Sequence, residues 1–165
     1  MSYNLSDFAG KIQRLDKVYR AIPGRAATIA VNFSKDRFRE QAWVDNTTQP
    51  WKKRKENGRQ RRKSQGRAIL VKSSRLKRSI RKIRVGPSSA VIGTDVPYAA
   101  IHNNGFKGKV SVKSFSRRTR GGKKSEVDAF SRSVTMPRRQ FMGNSAVLAR
   151  NIERDMTSQI IKAIK

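Results

Sequence analysis

Apolar residues recur at helical spacing at both ends of this chain, and that pattern limits the fold more than any other feature. Near the start, Leu5, Phe8, Ile12, Leu15, Tyr19 and Ile22 follow one another at alternating steps of three and four, as on one face of an amphipathic helix. Ser6 stands where an N-cap would. Pro23 suits the first turn of a second helical piece, in which Ala27, Ala30, Phe33 and Phe38 carry the stripe toward Trp43. The two pieces are compatible with one long, kinked helix. At the other end Val147 or Leu148, Ile152, Met156, Ile160 and Ile164 keep the same spacing, and Lys162 and Lys165 complement a C-terminal helix dipole.

Between these helices the period changes. Residues 45–50 form a turn cluster. Ser73-Ser74 is placed to cap a short helix that carries Leu76 and Ile80 on one face. Ile83 and Val85 then alternate with Lys82 and Arg84, the period of a half-buried strand. Gly86-Pro87-Ser88-Ser89 is a turn signal, and residues 90–94 return as the second strand of a hairpin. Pro97 marks another turn, a short helical segment spans residues 98–102, and Gly105 lets the chain leave helical geometry. Beyond it Val110 and Val112 alternate with Lys109, Ser111 and Lys113, and Gly121-Gly122 separates this run from Val127, Phe130, Val134 and Met136. This reads as a long β-hairpin with a flexible tip. Pro137 ends the extended stretch, Phe141 anchors in the core, and Gly143 turns the chain before Asn144 or Ser145 caps the last helix. The reading is an α+β domain of residues 1–165, with long N- and C-terminal helices packed on a small antiparallel β-sheet. Residues 45–67 form a basic linker or arm and residues 106–135 an extended loop or hairpin arm.

Two stretches carry a family resemblance. One runs from Val91-Ile92-Gly93-Thr94 through Tyr98-Ala99, Ile101-His102 and Gly105, and the other is Pro137-Arg138, Phe141 and Gly143 ahead of the C-terminal helix. Together they resemble the signature of a phage virion morphogenesis family, whose small proteins complete tails and join them to heads. Leu70, Leu76, Ser79 and Ile80 resemble a third family segment, with Ser73-Ser74 where the family has Thr-Gly, and Trp43 or Trp51 matches a tryptophan that precedes a basic loop. Gly93, Tyr98, His102, Gly105, Pro137, Phe141 and Gly143 are then structural motif residues. The resemblance implies a virion protein of the neck, head-tail connector or tail terminator type. Such a protein assembles as a homo-oligomeric ring around the DNA channel against portal, neck or tail proteins.

Charge points to an anionic partner. The chain holds 39 Lys and Arg against 11 Asp and Glu, a formal net charge of +28 that repels itself in a compact state. Lys52, Lys53, Arg54, Lys55, Arg59, Arg61, Arg62, Lys63 and Arg67 crowd a stretch whose one acid is Glu56. Lys107, Lys109, Lys113, Arg117, Arg118, Arg120, Lys123 and Lys124 form a second cluster after Gly105. Such blocks act as interaction arms. They suit packaged double-stranded DNA and acidic neighbouring proteins equally, since Trp51, Phe106 and Phe115 interleave too sparsely to form a base-stacking platform. The alternative class is a non-sequence-specific nucleic-acid-binding protein, architectural or ribosome-associated.

Other classes find little support. Zero cysteines exclude disulfides and thiolate metal sites. The start has no basic-then-apolar leader and no apolar run spans a bilayer, so the expectation is synthesis in the host cytoplasm, no membrane partner and residence in the virion. His102 is the sole histidine and sits beside Asn103 and Asn104 as a hydrogen-bonded turn residue. The scattered acids offer no carboxylate cluster for a catalytic cation, and Gly121-Gly122-Lys123-Lys124-Ser125 lacks the spacing of a phosphate-binding loop. No enzyme, metal or cofactor is expected.

Overall fold

The computed structural model describes residues 5–54 and 68–165. Helix α1 (Leu5–Glu40) is a single helix of 36 residues that runs through Pro23. Ser6 falls inside its first turn rather than ahead of it. Pro23 has no N–H to offer the Tyr19 carbonyl, at a cost of about 3 kcal/mol in a helix interior, and tertiary packing must offset this. The packing comes chiefly from the C-terminal helix α4 (Ala146–Ile164), which lies along α1. Arg14 Nε donates to the Ala163 carbonyl at 2.9 Å, and Arg25 pairs with Asp155 at 2.6 Å. One partner number rises as the other falls, so the helices are antiparallel. The Arg25 hydrogen bond holds the Asp155 carboxyl below its ordinary value. An exposed pair of this kind registers the helices more than it stabilises them.

α1 ends at Gln41, which adopts a left-handed φ of 55°. Strands β1 (Ala42–Val44) and β2 (Thr48–Pro50) follow as an antiparallel hairpin. The turn cluster at 45–50 therefore contains a strand that the sequence reading missed. Thr48, Gln49 and Pro50 are all exposed and show no apolar alternation, and Pro50 is tolerated because a two-stranded ribbon consists of edges.

Helix α2 (Arg75–Ser79) buries Leu76 and delivers Ile80 to the core. Its N-cap is Ser74, but the side chain makes no capping bond, and the residue sits in the left-handed region at φ 55°. The capping role read from Ser73-Ser74 is thus not fulfilled by Ser74. Ser73 Oγ only approaches the Arg75 N–H, at 3.4 Å. A left-handed backbone favours glycine, so Ser74→Gly should raise stability by roughly 0.5–1 kcal/mol. Thermal melting is expected to shift upward by about 1–4 °C.

Strands β3 (Arg81–Val85) and β4 (Ala90–Gly93) pair antiparallel and pack on α1. β3 is exposed along its whole length, Ile83 at 55% and Val85 at 48%, so α1 covers the face expected from its alternation only in part. Helix α3 (Ala99–Asn104) leads into β5 (Phe106–Val112), which pairs in register with β8 (Phe130–Met136). The shorter strands β6 (Phe115–Arg118) and β7 (Lys124–Val127) continue this ribbon to a tip near Gly122. The long hairpin expected after Gly105 is thus present. Antiparallel pairing among the described residues is divided into four two-stranded sheets.

The fold is α+β, with its core at the C-terminal half of α1. Val31, Phe38, Trp51, Leu76, Ile80, Val96, Ala99 and Phe141 form one buried cluster. Phe38 is the hub: its ring meets Trp51 edge-on at 5.4 Å and Phe141 at 5.0 Å. Aromatic pairs in this geometry contribute about 0.5–1.5 kcal/mol each beyond their buried area.

Candidate functional site

The motif residues from two distant parts of the chain meet at one joint. At its centre is Asn103, whose Oδ1 accepts hydrogen bonds from the N–H groups of Phe141 at 3.0 Å and Met142 at 2.9 Å. One residue earlier, the His102 carbonyl accepts from the Arg139 N–H at 2.8 Å. α3 thereby acts as a bracket for the segment 137–143. Gly105 completes the joint at φ 79°, where an added Cβ would lie 3.0 Å from the Arg138 nitrogen and 3.2 Å from the Met136 carbonyl oxygen. The dihedral is one that side chains rarely adopt, and a Cβ would crowd these backbone atoms, so any other residue is strained here. Gly143, at φ 149°, then releases the chain into α4. Ser145 rather than Asn144 is the cap: its Oγ accepts from the Leu148 N–H at 3.2 Å and donates to the Val44 carbonyl at 2.9 Å.

The same joint holds the root of the first basic segment. Arg139 is 5% exposed, and its Nε and Nη2 both donate to the Lys52 carbonyl, at 3.0 and 2.9 Å. Trp51 Nε1 donates to the Gln140 carbonyl at 2.8 Å. Arg54 Nη2 donates to the Ala68 carbonyl at 2.9 Å, and the Gln41 carboxamide bonds both the N–H and the carbonyl of Ile69. These contacts hold together the two ends from which residues 55–67 depart. Burial first, and then the nearby Arg54 charge, push the Arg139 guanidinium below its ordinary value. It still remains charged at any physiological pH.

The ring of His102 is half-buried and meets Tyr98 edge-on at 5.8 Å. Its Nδ1 is enclosed without a hydrogen-bond partner, and burial followed by the charge of Arg139 lowers its pKa from the ordinary 6.5. The imidazole is therefore neutral, and the backbone of this residue, more than its ring, does the bonding expected there. Among the described residues no three His, Cys, Asp or Glu side chains gather where a metal ion would sit, and no helix is long and apolar enough to cross a membrane.

The sequence-predicted residues thus fall into two groups. Gly105, Pro137, Phe141 and Gly143 converge with the backbone of His102, while Gly93 closes β4 opposite Arg81 and Tyr98 stands on the surface beside His102. Of the basic residues, Lys52, Lys53 and Arg54 lie at the joint, and Arg117, Arg118 and Arg120 lie at the far end of the ribbon, all exposed. Six intervals of β5 place those ends about 20 Å apart over the first part of the ribbon alone. Lys55, Arg59, Arg61, Arg62, Lys63 and Arg67 lie outside the described residues. Sequence reasoning missed Asn103, Arg139 and Gln41 as bonding residues. The available hint was that each polar side chain neighbours a buried aromatic or a glycine turn.

If Asn103 is the bracket, Asn103→Ala strands two backbone donors and should cost about 1–3 kcal/mol in urea denaturation. Asn103→Asp keeps the acceptor and should cost less.

The family model described as the phage virion morphogenesis family matches residues 5–161. No curated protein and no solved structure matches the chain.

Proposed function

Because this chain belongs to the phage virion morphogenesis family and so serves in building a phage virion, we propose that it is a neck, head-tail connector or tail completion component. In this reading copies form a homo-oligomeric ring around the DNA channel, against portal, neck or tail proteins. The observation that carries it is the common root of the two basic segments. Arg139 ties the Lys52 carbonyl to the segment that follows β8, so residues 52–54, the described start of the first basic segment, and the ribbon 106–136 leave the body from one place. Cyclic symmetry repeats that place around an axis. Each added copy then strengthens a positive field in the same zone, which suits packaged DNA or an acidic ring of neighbouring protein.

The ionic contribution is measurable. If residues 52–67 face phosphates, duplex DNA binding should show no sequence preference, and log affinity should fall against log salt with a slope of about −0.9 per phosphate neutralised. Replacing Arg59, Arg61, Arg62 and Lys63 by serine should then flatten the slope by up to roughly 3–4. An unchanged slope assigns this segment to protein docking. Tight duplex binding by a chain that never enters particles would instead favour an architectural nucleic-acid-binding protein.

A further inference from the structure

The β5–β8 ribbon has two chemically unlike faces. Directly paired residues share a face, and faces alternate along each strand. The register therefore gathers Phe106 with Met136, Gly108 with Val134, Val110 with Arg132 and Val112 with Phe130 on one side. Lys107, Lys109 and Ser111, opposite Thr135, Ser133 and Ser131, occupy the other. Gly108 levels the apolar side: an added Cβ would meet Cζ of Phe106 at 2.9 Å, so the ring folds over the gap that the glycine leaves.

This apolar side is largely open. Phe106 is 37% exposed, Val110 37% and Phe130 44%, and the principal contacts of the ribbon are within itself. A two-stranded ribbon with neither a third strand nor a helix against its apolar face is marginal in water, so another molecule has to complete it. Arg132 shows what that molecule supplies. It stands exposed in the middle of the apolar side and makes no ion pair among the described residues. A surface that covers Val110 and Phe130 also takes Arg132 out of water, and a buried guanidinium has to meet a carboxylate. Residues 106–136 add the same demand at longer range, with nine Lys and Arg against Glu126 and Asp128.

We infer that the apolar side of the β5–β8 ribbon docks onto a different protein of the virion, whose contact surface has an acidic rim and offers a carboxylate opposite Arg132. The inference deepens the virion reading above by choosing, for the ribbon, between its two anionic partners. Duplex DNA is the poorer occupant. Phosphates pair with the lysine side and leave Val110, Val112, Val134 and Met136 in water. A single strand finds no stacking platform either, since Phe106 and Phe130 stand at opposite ends of the ribbon, about 20 Å apart.

A second copy of this chain lacks the acids. Six of the 11 are held in ion pairs: Asp7 by Lys11, Asp16 by Arg20, Asp36 by Arg39, Glu40 by Arg37, Asp95 by Arg81 and Asp155 by Arg25. Asp45 accepts from the Ala146 N–H at 2.6 Å, Glu126 and Asp128 belong to the ribbon segment itself, and Glu153 shares a cleft with Arg150, Arg154, Lys162 and Lys165. Glu56 lies outside the described residues. No acidic patch among the described residues matches the ribbon, so the complement comes from another kind of chain. The apolar side measures roughly 20 Å by 10 Å, a fraction of the ~800 Å² that each partner gives to a standard interface, so the ribbon is an anchor within a larger contact. Phe115, 46% exposed on β6, adds a further ring toward the tip.

The experiment uses a phage lacking this protein, complemented with variants, after the wild-type chain has been found in purified particles. Particles carrying Val110→p-benzoylphenylalanine are irradiated and the linked peptide is sequenced by mass spectrometry. The expected product is a peptide of a different virion protein in which Asp and Glu outnumber Lys and Arg. A link to DNA, to a second copy of this chain or to a peptide without that acidic excess overturns the inference, and so do particles that hold the chain and give no link. Arg132→Glu then tests the carboxylate. It should lower the yield of complete particles by about 30-fold or more, while Lys109→Glu, the same charge change on the opposite side, lowers it by less than about threefold. Replacing the matching carboxylate of the linked peptide by lysine should restore the yield with Arg132→Glu. Equal losses from the two variants, or no restoration by any such replacement, would contradict the contact and leave the virion reading standing. Absence of the wild-type chain from particles, established first, would instead remove the reading on which the contact depends.

Discussion

Phe141→Ala should lower the unfolding free energy by about 3–5 kcal/mol, a large part of what a domain of this size possesses. The side chain is 1% exposed and touches Phe38, the hub that also carries Trp51. Its backbone N–H is one of the two held by Asn103. Removing the ring opens a cavity between α1 and the segment 137–143, and the Arg139 clasp on Lys52 loses its support. The variant should melt at lower denaturant and with less cooperativity, and both basic segments should lose their fixed root. Equilibrium urea denaturation measures the effect. A change below about 1 kcal/mol would mean that the site collapses without a cavity and that the joint is held elsewhere.

Removing residues 113–125 should do the opposite. The deletion takes β6, the tip and part of β7, all lying beyond the last β5–β8 pair, Val112↔Phe130. Four residues, 126–129, remain to connect those strands, an ordinary hairpin loop length. Nearly every side chain removed is exposed, so the unfolding free energy should change by less than about 1 kcal/mol. Assembly should fail all the same, because Arg117, Arg118, Arg120, Lys123 and Lys124 leave with the segment. A soluble, cooperatively melting chain that completes no particles is the expected outcome. Melting like that of Phe141→Ala would place the segment in the core, and normal particle completion would deny it any joining role.

What could be read in the sequence followed from periodicity and from residues with narrow backbone chemistry. The terminal helices declared themselves through runs at steps of three and four, long enough that Pro23 did not divide α1. Gly105 and Gly143 marked positions of positive φ, and Ser145 stood where the last helix needs a cap. The β1–β2 hairpin escaped because Thr48-Gln49-Pro50 has no buried face to pattern. Exposure of β3 escaped for a related reason. Alternation reports which face a strand offers, and how far that face is covered depends on tertiary packing that local spacing does not encode. The bonds of Asn103, Arg139 and Gln41 join residues 28 to 87 positions apart, and no local spacing encodes them.

The measurement closest to the central claim is cryo-electron microscopy of purified particles in which the chain carries a heavy-atom label at the ribbon tip. Gly121 suits the purpose, because a Cβ there meets nothing within 4 Å and a cysteine is accommodated. A closed ring of copies at the neck or tail end is expected, with the labels forming a concentric ring at one height on the channel axis. Particles that are complete without the chain, or that carry it at scattered sites without cyclic order, would contradict it.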